Sequence, residues 1–466
     1  MSDASGRLSR ADAFARARAV ADALEVAGLK PGDRVALLCR SPADAIIGFI
    51  ATLMTEFVAV PVHPSSPPAA TAGLLVASGA AAMISDHGDF ADLTGADTIA
   101  HISSRLDPVA CHAPTLSGSA DQIAALLYTS GTTGAPKGVT ITLGNLLAMT
   151  DRLVHDFFRV DDTDTLLLAA PLANVYGTAL VATALRAGAT LSIPAVPRPD
   201  TILEAMRRDK VTFMAGVPMV GGMMLKATGD TKNPLPDLKR VLLAGTKLDP
   251  NMANAIARRF DCEVMTGYAM TEAVPLAMML DTAQLGGGNV GSVAKGVEMR
   301  IVDTGFAPVK PGEPGEILVR GAVVTPGYWQ NDTANAAAFH DGWFRTGDIG
   351  RIDADGHLEL IDRLKEIIKT AGNTVYPSEI ESVLRDHPGV GEAAVIAQPH
   401  DGVGEIVVGY FTGTPELDTK ALRTWCQDRL VSWKVPRRLV QVGAMPMTPS
   451  GKISKAQLRM EQGRSA

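Results

Sequence analysis

Cysteine is scarce and dispersed. Cys39, Cys111, Cys262 and Cys426 are the four in the chain and none forms a CxxC pair, so neither a zinc site nor a disulfide framework is expected. Aromatic residues are few, at 5%. Excess positive charge is also missing. Against 43 Lys and Arg stand 50 Asp and Glu, a net charge of −7, which argues against a nucleic-acid partner because no basic stripe is available to neutralise phosphates. Long apolar runs are absent too: Ala45 to Val62 is interrupted by Glu56 and Pro61 and divides into a buried helix and the strand Val58-Ala59-Val60 rather than a membrane span. Met1 to Arg7 has no apolar segment behind it, as a signal peptide requires. A protein of the reducing cytoplasm, without membrane insertion, is expected.

What is present is an ordinary globular composition, 46% hydrophobic and 20% charged, over 466 residues. That length exceeds what one core serves, so two or more domains are expected. Short apolar strands alternate with helical patterns: Val35 to Cys39, Val58 to Val60, Ala82 to Ile84, Ile123 to Leu127, Thr165 to Ala169, Thr190 to Ile193, Val211 to Met214, Val241 to Leu243 and Glu263 to Met265. Strands buried on both faces and separated by helices predict an α/β fold with doubly wound, mostly parallel sheets. From about Gly291 the pattern changes to alternating apolar and charged residues with Gly/Pro turns, as in Pro311-Gly312-Glu313-Pro314-Gly315, which predicts an antiparallel, barrel-like subdomain over 291–362. Residues 363–466 carry their own helices and strands, enough for a small α+β domain beside an N-terminal core of 1–362.

The most informative stretch follows the strand Ile123 to Leu127. In Thr129-Ser130-Gly131-Thr132-Thr133-Gly134-Ala135-Pro136-Lys137-Gly138, glycines let backbone N–H groups approach an anion, hydroxyls donate to phosphate oxygens and Lys137 adds positive charge. A flexible linker has similar composition, but a linker has no reason to sit tightly between a buried strand and the helix predicted over Thr142 to Met149. The nucleoside triphosphate P-loop is excluded, because it ends in Gly-Lys-Ser/Thr and here Lys137 lies between Pro136 and Gly138. The loop resembles the signature of the adenylate-forming (ANL) superfamily, which holds acyl-CoA synthetases, nonribosomal peptide adenylation domains and beetle luciferases. The similarity runs over nearly the whole chain.

The resemblance assigns further roles. Thr129, Ser130, Gly131, Thr132, Thr133 and Lys137 would cradle the phosphates of ATP. In Thr266-Gly267-Tyr268-Ala269-Met270-Thr271-Glu272, Gly267 and Tyr268 would border adenine, Thr271 the α-phosphate, and Glu272 would hold Mg²⁺. Gly245 and Thr246 match a segment beside the adenine pocket, where Lys247 replaces a frequent proline. Asp348, after Gly342-Trp343-Phe344-Arg345-Thr346-Gly347, matches the ribose-binding aspartate, since a carboxylate accepts from both ribose hydroxyls. Arg363 matches a nucleotide-contacting arginine, Lys365 the hinge of a mobile C-terminal lid, and Gly372 the loop lining the pantetheine tunnel of CoA. Lys452, in Thr448-Pro449-Ser450-Gly451-Lys452-Ile453, matches the lysine that offsets charge building on oxygens when a carboxylate attacks the α-phosphate. Asn174, Tyr176 and Gly177, with Ala269 and Met270, would border the acyl group. Asn174 stands where such enzymes commonly have histidine, and Ala269 where glycine is usual. Met214, Met219, Met223, Met224 and Met270 could furnish an adaptable apolar wall.

These matches imply an ATP- and Mg²⁺-dependent acid–CoA ligase: the acid displaces pyrophosphate to give acyl-AMP, the lid rotates, and the CoA thiol displaces AMP. Three alternatives stay open at this point. The enzyme could perform mainly one half-reaction, it could load a separate carrier protein, or the fold could serve as a non-catalytic nucleotide binder. An apolar or aromatic acid is expected, because no basic cluster for a second carboxylate is evident.

Overall fold

The structure is a computed structural model that describes all residues except 4–5, 89–98, 110–117, 130–135, 401, 415–416, 449–451 and 465–466. The chain forms two compact units. The first comprises Met1–Gly286, Val290–Met299 and Val319–Phe344; the second comprises Gly287–Asn289, Arg300–Leu318 and Arg345–Ala466. The strands Val297–Val302, Gly315–Gly321 and Trp343–Ile352 carry residues of both.

In the first unit, one six-stranded sheet runs in the order Ala100–Ser103, Ala80–Ser85, Arg34–Leu38, Val58–Pro61, Ile123–Thr129, Lys137–Thr142. All its neighbours are parallel except the last pair, which is antiparallel. Helices Arg10–Val26 and Pro42–Met54 pack against it, the first opened by the Ser9 hydroxyl capping the Asp12 N–H at 3.0 Å. A second sheet has the parallel order Thr190–Ser192, Thr165–Leu167, Phe213–Gly216, Arg240–Leu243, Glu263–Met270, and then turns antiparallel through Ala273–Met279 and the residues of Asn289–Val293 that pair with it. Phe49, Phe57 and Phe213 are fully buried in the core between helices and sheets. The doubly wound expectation holds because these strands are apolar on both faces and each crossover supplies a helix to cover one of them.

Three elements differ from the sequence reading. Lys137 does not end a loop that leads into a helix: it opens the strand Lys137–Thr142, paired antiparallel to Ile123–Thr129 with Thr129 opposite Lys137. The helix follows at Leu143–Arg152, where Thr142 and Asn145 exchange capping-box hydrogen bonds at 3.0 Å. The strand expected to end at Met265 continues to Met270. Short strands at Ser2–Asp3 and Gly6–Arg7, unanticipated, join the second sheet through Ser2 opposite Ser192.

The second unit holds the antiparallel pair of Trp343–Ile352 and His357–Arg363, with Asp348 opposite Arg363. The expected 362–363 boundary therefore falls inside this unit. Beyond it a five-stranded sheet orders Asn373–Val375, Ile368–Thr370, Gly404–Gly413 and Val390–His400, with Arg438–Gln441 also paired to Gly404–Gly413. Helices Pro377–Arg385 and Thr419–Gln427 cover one face through Ile380, Leu384, Leu422 and Cys426, and Leu458 of the helix Lys455–Arg464 belongs to a separate apolar cluster with Ile396 and Val408.

One buried polar cluster ties the N-terminal strand down. Asp209, 5% exposed, accepts from the Ser2 and Ser192 hydroxyls at 2.7 and 2.5 Å and from Arg208 at 2.6 Å. Burial alone would raise its carboxyl pKa, but Arg208 and the two hydroxyls hold it below the usual carboxylate range. Its contribution to stability is thus present above the unfolded value near pH 4 and is lost as pH falls through the lowered folded value. Asp209→Asn is expected to lower neutral-pH stability by about 2 kcal/mol, with the gap to the parent closing below about pH 4; thermal melts at the two pH values check this.

Candidate active site

The first unit assembles one constellation around the hairpin of Ile123–Thr129 and Lys137–Thr142. Ser130, Gly131, Thr132 and Thr133 lie outside the described residues, but Thr129 and Lys137 frame them from the two paired strands. The segment 324–329 is laced to both sides of this site. Thr325 donates from its backbone to the Glu272 carbonyl at 2.7 Å and from its hydroxyl to the Thr140 carbonyl at 2.6 Å, while Thr140 N–H returns to Gly327 O at 3.0 Å and Trp329 N–H to Gly138 O at 2.8 Å. Thr271 and Glu272 form the turn between Glu263–Met270 and Ala273–Met279, with Met270 opposite Ala273. Tyr328 stands between the two candidate groups. Its hydroxyl donates to Glu272 Oε1 at 2.8 Å, and Lys137 Nζ lies 5.0 Å from its ring centroid. Burial, then the Glu272 charge, push the Tyr328 phenol well above the usual tyrosine value. Tyr328 escaped the sequence reading, although its place in a Thr-Pro-Gly-Tyr-Trp turn was a visible signal.

Beside this lies an apolar cavity of about 70 Å³ lined by residues that include Phe157, Phe158, Tyr176, Leu180, Gly245 and Tyr268. A π-helical turn, Leu153–Phe157, continues the helix Leu143–Arg152 and carries Phe157 to the cavity wall. Tyr268 and Ala269, in the extended strand, also line it, and Tyr268 is only 7% exposed. Gly267 fits where a Cβ would stand 2.7 Å from Ala277 O, and at Gly177 a Cβ would stand 2.1 Å from Pro171 O, so close backbone approach accounts for both glycines. Tyr176 brings a buried hydroxyl to the lining, beside the Ala244 backbone, and burial raises its pKa strongly. The methionine wall is not there: Met214 and Met224 are buried in a separate core, Met219 and Met223 are exposed, and Met270 is not among the lining residues. Asn174 is exposed and caps the helix Val175–Ala187, its Oδ1 accepting the Tyr176 N–H at 2.9 Å. Thr246 and Lys247 are exposed at the next strand end.

In the second unit Asp348, Arg363, Lys365 and Lys452 share one field. Asp348 sits within the strand Trp343–Ile352, and Arg363 Nε lies 3.3 Å from its Oδ1. Asp362 accepts from the N–H groups of Arg363 and Ser378, both at 2.8 Å, tying the strand end to the helix Pro377–Arg385. Lys365, in a single 3₁₀ turn, and Lys452 are both held below the ordinary lysine value, first by the protein packed about them and then by Arg363, although both side chains reach water. Lys452 follows the undescribed residues 449–451, and its backbone exchanges hydrogen bonds with Thr448 at 2.7 and 3.1 Å. Gly372, at φ +79, and Ala371, at φ +47, form a two-residue turn between Thr370 and Asn373 in which both residues are left-handed.

Over residues 1–329 the chain matches the AMP-binding enzyme family, and over residues 379–452 the AMP-binding enzyme C-terminal domain. The chain belongs to the AMP-binding enzymes. A feruloyl-CoA synthase of an Amycolatopsis species is 32% identical, covering 98% of this chain and 94% of its own. An oxalate–CoA ligase of Arabidopsis thaliana is 31% identical, covering 94% of this chain and 90% of its own. The crystal structure of ATP-bound MatB from Rhodopseudomonas palustris superposes with a TM-score of 0.91 at 28% identity, covering 98% and 94% of the two chains. Relatives named for an aromatic acid and for a dicarboxylate are thus about equally similar to this AMP-binding enzyme, so identity does not fix the acid. Among the described residues no helix is long and apolar enough to cross a membrane.

The capping role of Asn174 in this AMP-binding enzyme has a direct check. Asn174→Ala is expected to destabilise it by about 1 kcal/mol and Asn174→Asp to be nearly neutral, because aspartate preserves the acceptor. Denaturation midpoints of the two variants distinguish a cap from a purely chemical role.

Proposed function

We propose that this enzyme activates an apolar or aromatic carboxylic acid with ATP as acyl-AMP and then passes the acyl group to the thiol of CoA. The observation that carries the reading is the meeting of Lys137 and Glu272 on one tyrosine, beside an apolar cavity, in a chain that matches the AMP-binding family in both its parts. The lining offers no cation for a second carboxylate on the acid.

Attack by a carboxylate on an α-phosphate brings two anionic groups together and builds charge on the bridging and leaving oxygens, so fixed cations are the main requirement. In this reading Lys137 and the backbone of 129–137 hold the phosphates, Thr271 the α-phosphate region, and Asp348 the ribose hydroxyls. Tyr268, with Gly267, Gly245 and Thr246, borders adenine and the acyl group. Arg363 reaches nucleotide oxygens and Lys452 stabilises the charge that develops during adenylation. Mg²⁺ is ordinarily held by one or two carboxylates plus substrate phosphates and water, so a site with one protein carboxylate suffices. Glu272, half-buried and held by Tyr328, is that carboxylate. The ion, when bound, neutralises phosphate charge.

After acyl-AMP forms, the requirement changes from cations at phosphate to a path for a thiol. A lid hinged at Lys365 that carries Lys452 and Gly372 can serve both steps in turn. The Ala371-Gly372 turn leaves open space at Gly372, where an added Cβ would meet nothing within 4 Å. A reducing cytoplasmic setting accords with Cys426 and Cys262, whose burial pushes their thiols up to about 11 and about 12 and keeps them unreactive.

Lys452→Ala is expected to depress ATP–pyrophosphate exchange by about 10²-fold or more while sparing CoA transfer from preformed acyl-AMP, and Gly372→Leu to do the opposite. Separate assays of the two half-reactions across an acid panel test this, and a parent enzyme that releases no pyrophosphate with any acid would end the reading. Lys452 acts as a cation, so exchange is supported below its pKa and lost as pH rises through it. Because that pKa lies below 10.5, the alkaline limb of kcat/KM for ATP should fall below pH 10.5.

A further inference from the structure

We propose that Tyr328 is a positioning residue that keeps Lys137 and Glu272 apart and each aimed at the nucleotide, an inference that rests on the ligase reading above. The two groups carry opposite charge, and each must remain available to a ligand. Side by side and without an intervening group, they would pair with each other and quench both functions. Among the described residues neither takes part in a salt bridge with a side chain of the first unit. The ring of Tyr328 fills the place where that pair would form. Its face holds the Lys137 ammonium at 5.0 Å from the centroid by the ring quadrupole, which orients the cation without neutralising it. Its edge hydroxyl donates to Glu272 Oε1 at 2.8 Å. A carboxylate can accept at about four lone-pair sites, so one donor fixes its rotamer and leaves Oε2 free for a cation.

The backbone of the tyrosine is tied at both its polar groups. Tyr328 N–H donates to Asn335 Oδ1 at 2.7 Å and Asn335 Nδ2 returns to Tyr328 O at 3.0 Å. An isolated bridge pairs Tyr328 with Val139, two residues from Lys137. Thr325 fixes the same segment to the Glu272 backbone. One rigid turn therefore spans the lysine strand and the glutamate turn, with the aromatic side chain as the spacer between them.

Calorimetric binding of ATP without acid, at varied Mg²⁺, tests the spacer independently of turnover. Tyr328→Phe keeps the ring and removes the donor; the Mg²⁺ concentration for half-maximal ATP binding should rise roughly tenfold, while ATP binding in EDTA and the ligand-free melting temperature stay at parental values. Tyr328→Leu, which also removes the ring face, should in addition weaken ATP binding in EDTA. In a Glu272→Gln background Tyr328→Phe should add nothing. Parental Mg²⁺ dependence in Tyr328→Phe, or an equal increment in the Glu272→Gln background, overturns the proposal, and should Tyr328→Leu fail to fold, Tyr328→Phe still decides. Loss of pyrophosphate exchange in the parent would remove the ligase reading without altering these binding readouts.

Discussion

Thr325 holds two pieces of chain that are far apart in sequence. The residue is buried at 2% exposure; its hydroxyl donates to Thr140 O and its backbone N–H to Glu272 O. A buried hydroxyl or amide left without a partner is costly, so these bonds are obligatory once the segment is enclosed. Together with Thr140 N–H to Gly327 O and Trp329 N–H to Gly138 O, they join the strand that begins at Lys137 to the turn that ends in Glu272. The helix capped by Asn331 then supplies Asn335, which locks Tyr328 in place.

The second unit meets a different electrostatic problem. Arg363 pairs with Asp348, and Lys365 and Lys452 lie in the field of both, with Glu366 also acting on Lys365. The lowered pKa values of the two lysines express partial desolvation first and the nearby Arg363 charge second. Like charges held close to one another raise the cost of keeping each lysine charged. The first unit keeps its opposite charges separated by a ring; the second concentrates charge of one sign.

Short apolar runs such as Val35-Ala36-Leu37 and Val241-Leu242-Leu243 were legible as buried parallel strands because no polar residue in them could face water. Capping residues marked helix starts for the same local reason. Lys137 was misplaced into the loop because its strand, Lys-Gly-Val-Thr-Ile-Thr, is short and pairs with Ile123–Thr129 by closing a hairpin across the phosphate loop. Asp348 sits in a strand whose partner lies across a turn and ends at Arg363. The methionine wall failed because composition says nothing about which side of a sheet a residue faces, and Met214 and Met224 went to the opposite core.

The residue types that can bind phosphate, ribose and an acyl chain, the α/β alternation and the membership of an adenylate-forming family were determined by the sequence alone, since each rests on local chemistry or local periodicity. Tertiary structure alone decided that Tyr328 would stand between Lys137 and Glu272, that Asn174 would spend its carbonyl on a helix cap, and that aromatic rings rather than methionines would line the cavity. Those outcomes depend on contacts between residues as much as 191 positions apart, as Lys137 and Tyr328 are (328 − 137), and no local pattern encodes which distant side chain arrives at a given point in space.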